Sequence, residues 1–365
     1  MNRGQSMLAN APRYRALNRI AADWTKNMTP DLSCEVPLRK SEPVSSRGWQ
    51  DTPFSEMELP LRRSFYPLGY SVEIMTNEPR VLAAAEESFG HTRFTRQGTC
   101  LQIRVGVSKQ MGSRCPPEPA RRMFGHLYSL IADGENQALL DLNSGINFIW
   151  LTSAAMENPL YVRSNFLEKA VYLLLGAFVV TDIHAACVGR NGRGILLCGD
   201  SGAGKSTLAY ACARTGWTFT SDDTSYMINH SAAPRVIGHC HRVRFRPSAK
   251  ALFPELEDRT VTPRMEGKPS IEVPTSELPV EYRAAEADVE AVVFLDRRPG
   301  ARGELFRLPI GTAPQRIGEG LYSAGEIRAR HERMLTKLFN VPTYELHYQS
   351  LRDGMDALDR LASNE

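Results

Sequence analysis

The sequence has no long hydrophobic run. Its longest apolar stretch, Ala170 to Val180, falls short of the roughly 20 residues a helix needs to cross a bilayer, so it reads as one buried helix and no membrane partner is expected. An apolar h-region is missing behind the opening Met-Asn-Arg-Gly-Gln-Ser, which argues against a secretory signal. No C-x-x-C pair occurs, and the seven cysteines (34, 100, 115, 187, 198, 212 and 240) are odd in number and scattered. That pattern excludes a disulfide framework and fits buried thiols in a reducing compartment, with the cytoplasm as the expected location. A large excess of either charge is also lacking. With 23% charged residues and a net charge of +3, the chain offers no argument for nucleic acid. There is no internal repeat and no low-complexity tract. At 365 residues, 42% of them hydrophobic, the chain is long enough for two domains with ordinary cores.

What is present is concentrated in one stretch. Residues 194–207 read Gly-Ile-Leu-Leu-Cys-Gly-Asp-Ser-Gly-Ala-Gly-Lys-Ser-Thr, and Gly199, Gly204, Lys205 and Ser206 fill the G-x-x-x-x-G-K-S template of a phosphate-binding loop. Each residue type has a physical task. Glycines permit positive φ, so successive N–H groups of Gly199, Asp200, Ser201, Gly202, Ala203 and Gly204 can turn inward around an anion. Lys205 reaches the outer phosphates, the Ser206 hydroxyl ligates Mg²⁺, and Thr207 continues into a helix whose positive end faces the anion. An apolar strand precedes the loop, and Leu208, Ala209, Cys212 and Ala213 form a helical pattern that stops at Gly216. ATP and Mg²⁺ are therefore the expected ligands.

The rest of the chain arranges itself around that loop. Residues 1–60 are polar and broken by proline, with a short helix over Arg13–Trp24 at most, and read as a flexible lead-in. Residues 64–158 predict a small antiparallel α+β domain: a strand through Tyr70, Val72 and Ile74, a helix opened by Asn77 and Pro79, and strands at 101–107, 126–132, 137–142 and 146–152. A helix over 159–180 connects it to a catalytic α/β domain over 181–365. There, Ile183–Val188 reads as a strand, Arg190-Asn191-Gly192-Arg193 as a hairpin turn, and Gly194–Cys198 as the strand feeding the loop. A two-residue type I′ turn at Asn191-Gly192 would pair residue 184 with residue 199 and set His184 beside the first loop glycine. Further elements are a short strand over Trp217–Thr220, a basic strand with Arg242, Arg244 and Arg246, a short helix near Pro247–Leu256, an apolar strand over Val289–Leu295, a helix over 324–339, a strand over Thr343–Tyr348 and a closing helix over 351–362.

A phosphate loop needs a carboxylate for its metal, and a kinase also needs a base for the acceptor hydroxyl. Asp222-Asp223 ends the strand after the loop helix, and Asp296 ends the apolar run Ala291–Leu295. The pair is preferred, because adjacent carboxylates divide the labour and mutual repulsion raises one pKa, as a base requires. No N-K-x-D guanine-reading motif and no L-S-G-G-Q stretch appear, which argues against a Ras-like GTPase and a transporter ATPase. His239 and His241 alternate onto one strand face without a third and fourth ligand at suitable spacing. Arg242, Arg244 and Arg246 share a face suited to nucleotide phosphate, to an acidic partner or simply to solvent.

His184, the loop Gly199–Ser206 and Asp222-Asp223, in that order and spacing, resemble the catalytic core of the HPr kinase/phosphorylase family. The resemblance covers about residues 180–225. It implies a P-loop kinase fold of the HPr kinase/phosphoenolpyruvate carboxykinase-like type and ATP- and Mg²⁺-dependent phosphorylation of a serine on a protein or peptide acceptor. By the same resemblance Lys205 binds phosphate, Asp222 acts as base with His184 supporting it, and Ser206 and Asp223 handle the metal. Lys268-Pro-Ser-Ile-Glu272-Val echoes the family's second signature and implies Glu272 as a further metal ligand, although the Gly-rich element of that signature is missing. The family also implies a homo-oligomer. Two alternatives stay open for the same loop: a nucleotide-binding regulatory module that transfers nothing, and a small-molecule kinase.

Overall fold

The computed structural model describes residues 57–92, 94–98, 100–109, 112–262, 269–321 and 325–363. The lead-in expected over residues 1–60 lies outside them as far as residue 56, as do the helix expected over Arg13–Trp24, and Lys268.

Alternating side chains build the first sheet. Along β2 (Val72–Thr76), Val72, Ile74 and Thr76 are buried while Glu73 and Met75 lean outward, and β3 (Leu101–Ser108) follows the same period through Leu101, Ile103 and Val105. With β1 (Leu61–Phe65), β4 (Ala120–Phe124), β5 (Leu127–Ile131), β6 (Gln137–Asp141) and β7 (Ile146–Thr152), they form a seven-stranded sheet in the order β1-β2-β3-β7-β6-β5-β4. The expected antiparallel arrangement is corrected here. β2 pairs with β3, and β3 with β7, in parallel, because helix α1 (Pro79–Phe89) carries the chain back across the sheet as a parallel crossover requires. Asn77 does not cap that helix. Its side chain bonds Val107 through both the backbone N–H and C=O, and Glu78 caps instead by accepting from the Arg80 N–H.

The connecting helix comes in three pieces: α2 (Pro159–Val162), one π turn (Arg163–Leu167) and α3 (Glu168–Phe178). It stops at Phe178 because the β-branched run Val179-Val180-Thr181 is better accommodated as strand, and β8 (Val180–Ile183) begins there. Its apolar face, with Val171, Leu174 and Leu175 fully buried, shares one hydrophobic cluster with the first sheet and with Tyr226, Ile228 and Ile237 of the second.

The second sheet runs β11-β9-β10-β16-β13-β12-β8, with β18 alongside β16 and β17 alongside β18. Its strands are β9 (Ala185–Arg190), β10 (Arg193–Cys198), β11 (Thr218–Ser221), β12 (Ser225–Ile228), β13 (Arg235–Gly238), β16 (Glu286–Arg297), β17 (Arg302–Arg307) and β18 (Thr343–Tyr348). A separate two-stranded ribbon joins β14 (Arg242–Phe245) to β15 (Ile271–Pro274). Between strands β10 and β11 lies helix α4 (Lys205–Ala213), while α5 (Thr312–Glu319), α6 (Gly325–Leu335) and α7 (Leu351–Ser363) close the C-terminal part. β10 is central, antiparallel to β9 and parallel to β16. A parallel centre covered on both faces explains the uniformly apolar Ile195–Cys198. Among the described residues no helix is long and apolar enough to cross a membrane. Cys187, Cys198 and Cys212 are buried free thiols, whereas Cys100 and Cys115 are exposed.

Candidate active site

The hairpin register brings the first two parts of the site together. Asn191 and Gly192 have φ of 53° and 79°, the positive pair that a type I′ turn requires, and the ladder runs from Arg193↔Arg190 to Cys198↔Ala185. His184 and Gly199 are the next residues beyond the end of that ladder, and the Lys205 ammonium touches both. The expected single strand over Ile183–Val188 is interrupted there: the chain pairs with β12 up to Ile183 and with β10 from Ala185, so His184 sits at the switch between partners.

The same switch draws in the carboxylates. Ile183 pairs with Ser225 and Cys187 with Ser221, so the turn carrying Asp222-Asp223 is held at both ends against the segment that carries His184. Buried hydroxyls fasten it: Ser221 and Ser225 share a hydrogen bond of 2.7 Å, and Ser225 Oγ donates to the Ala185 carbonyl at 3.0 Å.

In the loop, Gly199, Gly202 and Gly204 adopt φ of 150°, 98° and 99°, conformations that side chains with a Cβ rarely enter. Gly204 has a second constraint. A Cβ there would lie 2.5 Å from the Tyr348 hydroxyl, which donates to the Ala203 carbonyl at 2.7 Å and so ties the loop to β18. Lys205 is 5% exposed. Its ammonium donates to the carbonyls of Gly199 (2.7 Å) and Asp200 (3.3 Å) and meets His184 Nε2 at 3.0 Å. Burial lowers the Lys205 pKa, with Asp223 opposing. Burial, then the neighbouring Lys205 charge, lowers that of His184. The Lys205 contact requires an unprotonated Nε2, so the ring proton belongs on Nδ1, which faces Asp223 Oδ1 at 3.5 Å.

The two aspartates have distinct environments. Asp222 is 7% exposed, and its Oδ2 accepts the Arg244 backbone N–H at 2.8 Å. Its carbonyl accepts the Ser206 hydroxyl at 3.0 Å. Burial, reinforced by the negative charge of Asp223 and opposed by the Arg244 N–H, raises its pKa from 3.8 to about 6. Asp223 is half exposed at 48%. Both line one cavity of about 240 Å³ together with His184, Ser201, Lys205 and Ser206.

A divalent cation that prefers oxygen ligands finds the Ser206 hydroxyl and the Asp223 carboxylate on this cavity. Glu272, expected as a further ligand, has both carboxylate oxygens occupied: Oε1 takes Arg242 at 2.6 Å and Oε2 takes Arg244 at 3.2 Å. A metal there would have to displace two arginines. His239 and His241 lie in an aromatic cluster with Tyr172, Tyr226 and His91 and belong to no metal-ligand group among the described residues. Asp296 sits at the end of β16 with Glu345 and His347 and pairs with Arg298. Sequence reasoning missed Tyr348 and the Arg244 N–H. Nothing local marks either, since one acts from the last strand of the sheet and the other through its backbone.

No family model matches the chain, and no curated protein matches it. Among solved structures it is similar to the HPr(Ser) kinase/phosphatase from Coxiella burnetii, with 11% identity over 50% of this chain and 93% of that one, at a TM-score of 0.28. This is a distant likeness, and the functional reading rests on the geometry of the site.

Proposed function

We propose that the chain is an HPr-kinase-like enzyme that transfers the terminal phosphoryl group of ATP, with Mg²⁺, to a serine hydroxyl of a protein or peptide. The observation that carries the reading is Asp222: a buried carboxylate, tuned close to neutrality, facing the same cavity as the phosphate-loop lysine. A structural carboxylate is usually stabilised in its charged form. One held by a single N–H and pushed up by burial suits general-base work near pH 7.

In this reading the loop N–H groups of residues 199–204 and Lys205 hold the phosphates, and Lys205 leaves the Gly199 and Asp200 carbonyls to do so. Ser206 and Asp223 hold Mg²⁺, which when bound neutralises charge on the transferring group. Asp222 takes the serine proton as the hydroxyl oxygen bonds to the γ-phosphorus and the bond to the β-bridging oxygen breaks, leaving phosphoserine and ADP. His184, neutral, faces Asp223 Oδ1 with its Nδ1 at 3.5 Å and positions it. Because transfer needs little covalent help from the protein, positioning and electrostatics supply most of the acceleration.

The test is incubation of the full chain with labelled ATP, Mg²⁺ and serine-bearing peptides. Label on peptide serine that disappears with Asp222→Asn supports the reading. ATP binding with no transfer to any acceptor would assign the site to a nucleotide-binding regulatory module.

A further inference from the structure

We infer that the acceptor serine is accompanied by an acidic residue, and that Arg246 reads it. This rests on the transfer reading above and deepens it to a class of peptide. The basic strand β14 presents Arg242 and Arg244 to β15, where the cross-strand position opposite Arg244 is Glu272. Glu272 pairs with both, and Glu168, 3.9 Å from Arg242, supplies the second negative charge. The ladder ends at Phe245↔Ile271, so Arg246 lies beyond the reach of this pairing. Arg246 is exposed, and its guanidinium has no ion-pair partner among the described residues.

Arg246 also lines the cavity that holds Asp222. Arg244, Ser248 and Ser270 line it as well. Asp222 is hydrogen-bonded to Arg244, two residues before Arg246. A hydroxyl delivered to Asp222 brings its neighbours into the cavity that Arg246 also lines. There an uncompensated guanidinium and the Ser248 hydroxyl suit a carboxylate, and Leu252, 48% exposed, offers an apolar lip to the peptide. A basic neighbour would meet like charge at the same place, which gives selectivity by repulsion as well as attraction.

The experiment uses the full chain with Mg²⁺ and labelled ATP on serine peptides that carry Asp, Asn or Lys near the serine. Transfer to the Asp peptide is expected to exceed that to the Asn peptide by about tenfold in kcat/KM. Arg246→Glu should abolish that preference and favour the Lys peptide, while Arg246→Lys should retain it in part. In a second arm, titration calorimetry measures binding of the Asp peptide to protein loaded with Mg²⁺ and a non-hydrolysable ATP analogue. Equal binding to wild type and Arg246→Glu overturns the inference even if transfer occurs. If no peptide is labelled, the kinase reading fails, and the calorimetric arm still decides whether Arg246 binds an acidic peptide.

Discussion

Replacing Asp222 by Asn separates a working base from a structural carboxylate, because the two roles move stability in opposite directions. The carboxyl pKa rises from 3.8 to about 6 in the folded chain, so the folded state binds the proton more tightly than the unfolded one. Stability then falls as pH rises from about 4 to about 6, and above that range the charged Asp222 is a full cost. Two units at 1.36 kcal/mol each set that cost at about 3 kcal/mol, with little discount for solvent at a group 7% exposed. Asn keeps an oxygen for the Arg244 N–H and carries no charge. At pH 7 the variant should therefore be more stable by about 3 kcal/mol. With an unfolding entropy near 2.1 cal/mol/K per residue over roughly 300 residues, that is about 5 °C in Tm. The gain should shrink as pH falls through 6 and vanish below about 4. Phosphoryl transfer should fall by about 10²–10⁴-fold, the usual contribution of a positioned base. Thermal unfolding at pH 4, 5, 6 and 7, with transfer measured beside it, provides the check. A variant less stable than wild type at pH 7, or a difference flat across that range, would refute the argument.

Other outcomes follow from the same geometry. In wild-type protein, transfer should drop about tenfold per pH unit below pH 6, because the base must be unprotonated; a pH–rate profile reads this directly. Gly204→Ala places a Cβ 2.5 Å from the Tyr348 hydroxyl at φ of 99°, so nucleotide affinity should fall at least tenfold in a titration even where the chain still folds. Gly192→Ala meets no atom within 4 Å. It should cost only the left-handed strain of about 1 kcal/mol, visible as a lowered Tm with transfer retained. Tyr348→Phe removes the bond to the Ala203 carbonyl and should destabilise by about 1 kcal/mol, with weaker ATP binding in the same assay. Chelating Mg²⁺ with EDTA should abolish transfer, and restoring Mg²⁺ should recover it.

The loop and its flanks were legible because their causes are local. Positive-φ glycines, an apolar run and a helix stop are properties of neighbouring residues, and the observed β10 and α4 follow them. The turn at Asn191-Gly192 carried a longer message, since a two-residue hairpin sets the register and thereby the neighbour of Gly199. Elements without a local period escaped notice. β12 and β13 are four residues long and almost wholly buried, and β4 is exposed throughout, so none alternates. The parallel pairing of β2, β3 and β7 was equally hidden, because strands joined by long connections carry no register in their turns.

By itself, the sequence determined that residues 199–206 form a glycine-rich turn between an apolar strand and a helix and that His184 stands beside it, since turn chemistry and backbone freedom act over a few residues. Only the tertiary structure decided how the two aspartates differ. Asp222 and Asp223 are identical in type and adjacent in the chain, yet one is buried against the Arg244 N–H and the other stands half exposed beside His184. Their difference comes from what the sheet packs around each, and desolvation depends on neighbours far away in sequence. The same holds for the arginines on and just after β14: alternation put Arg242, Arg244 and Arg246 on one face, and Glu272 of β15, with Glu168, paired with two and left the third without an ion-pair partner among the described residues.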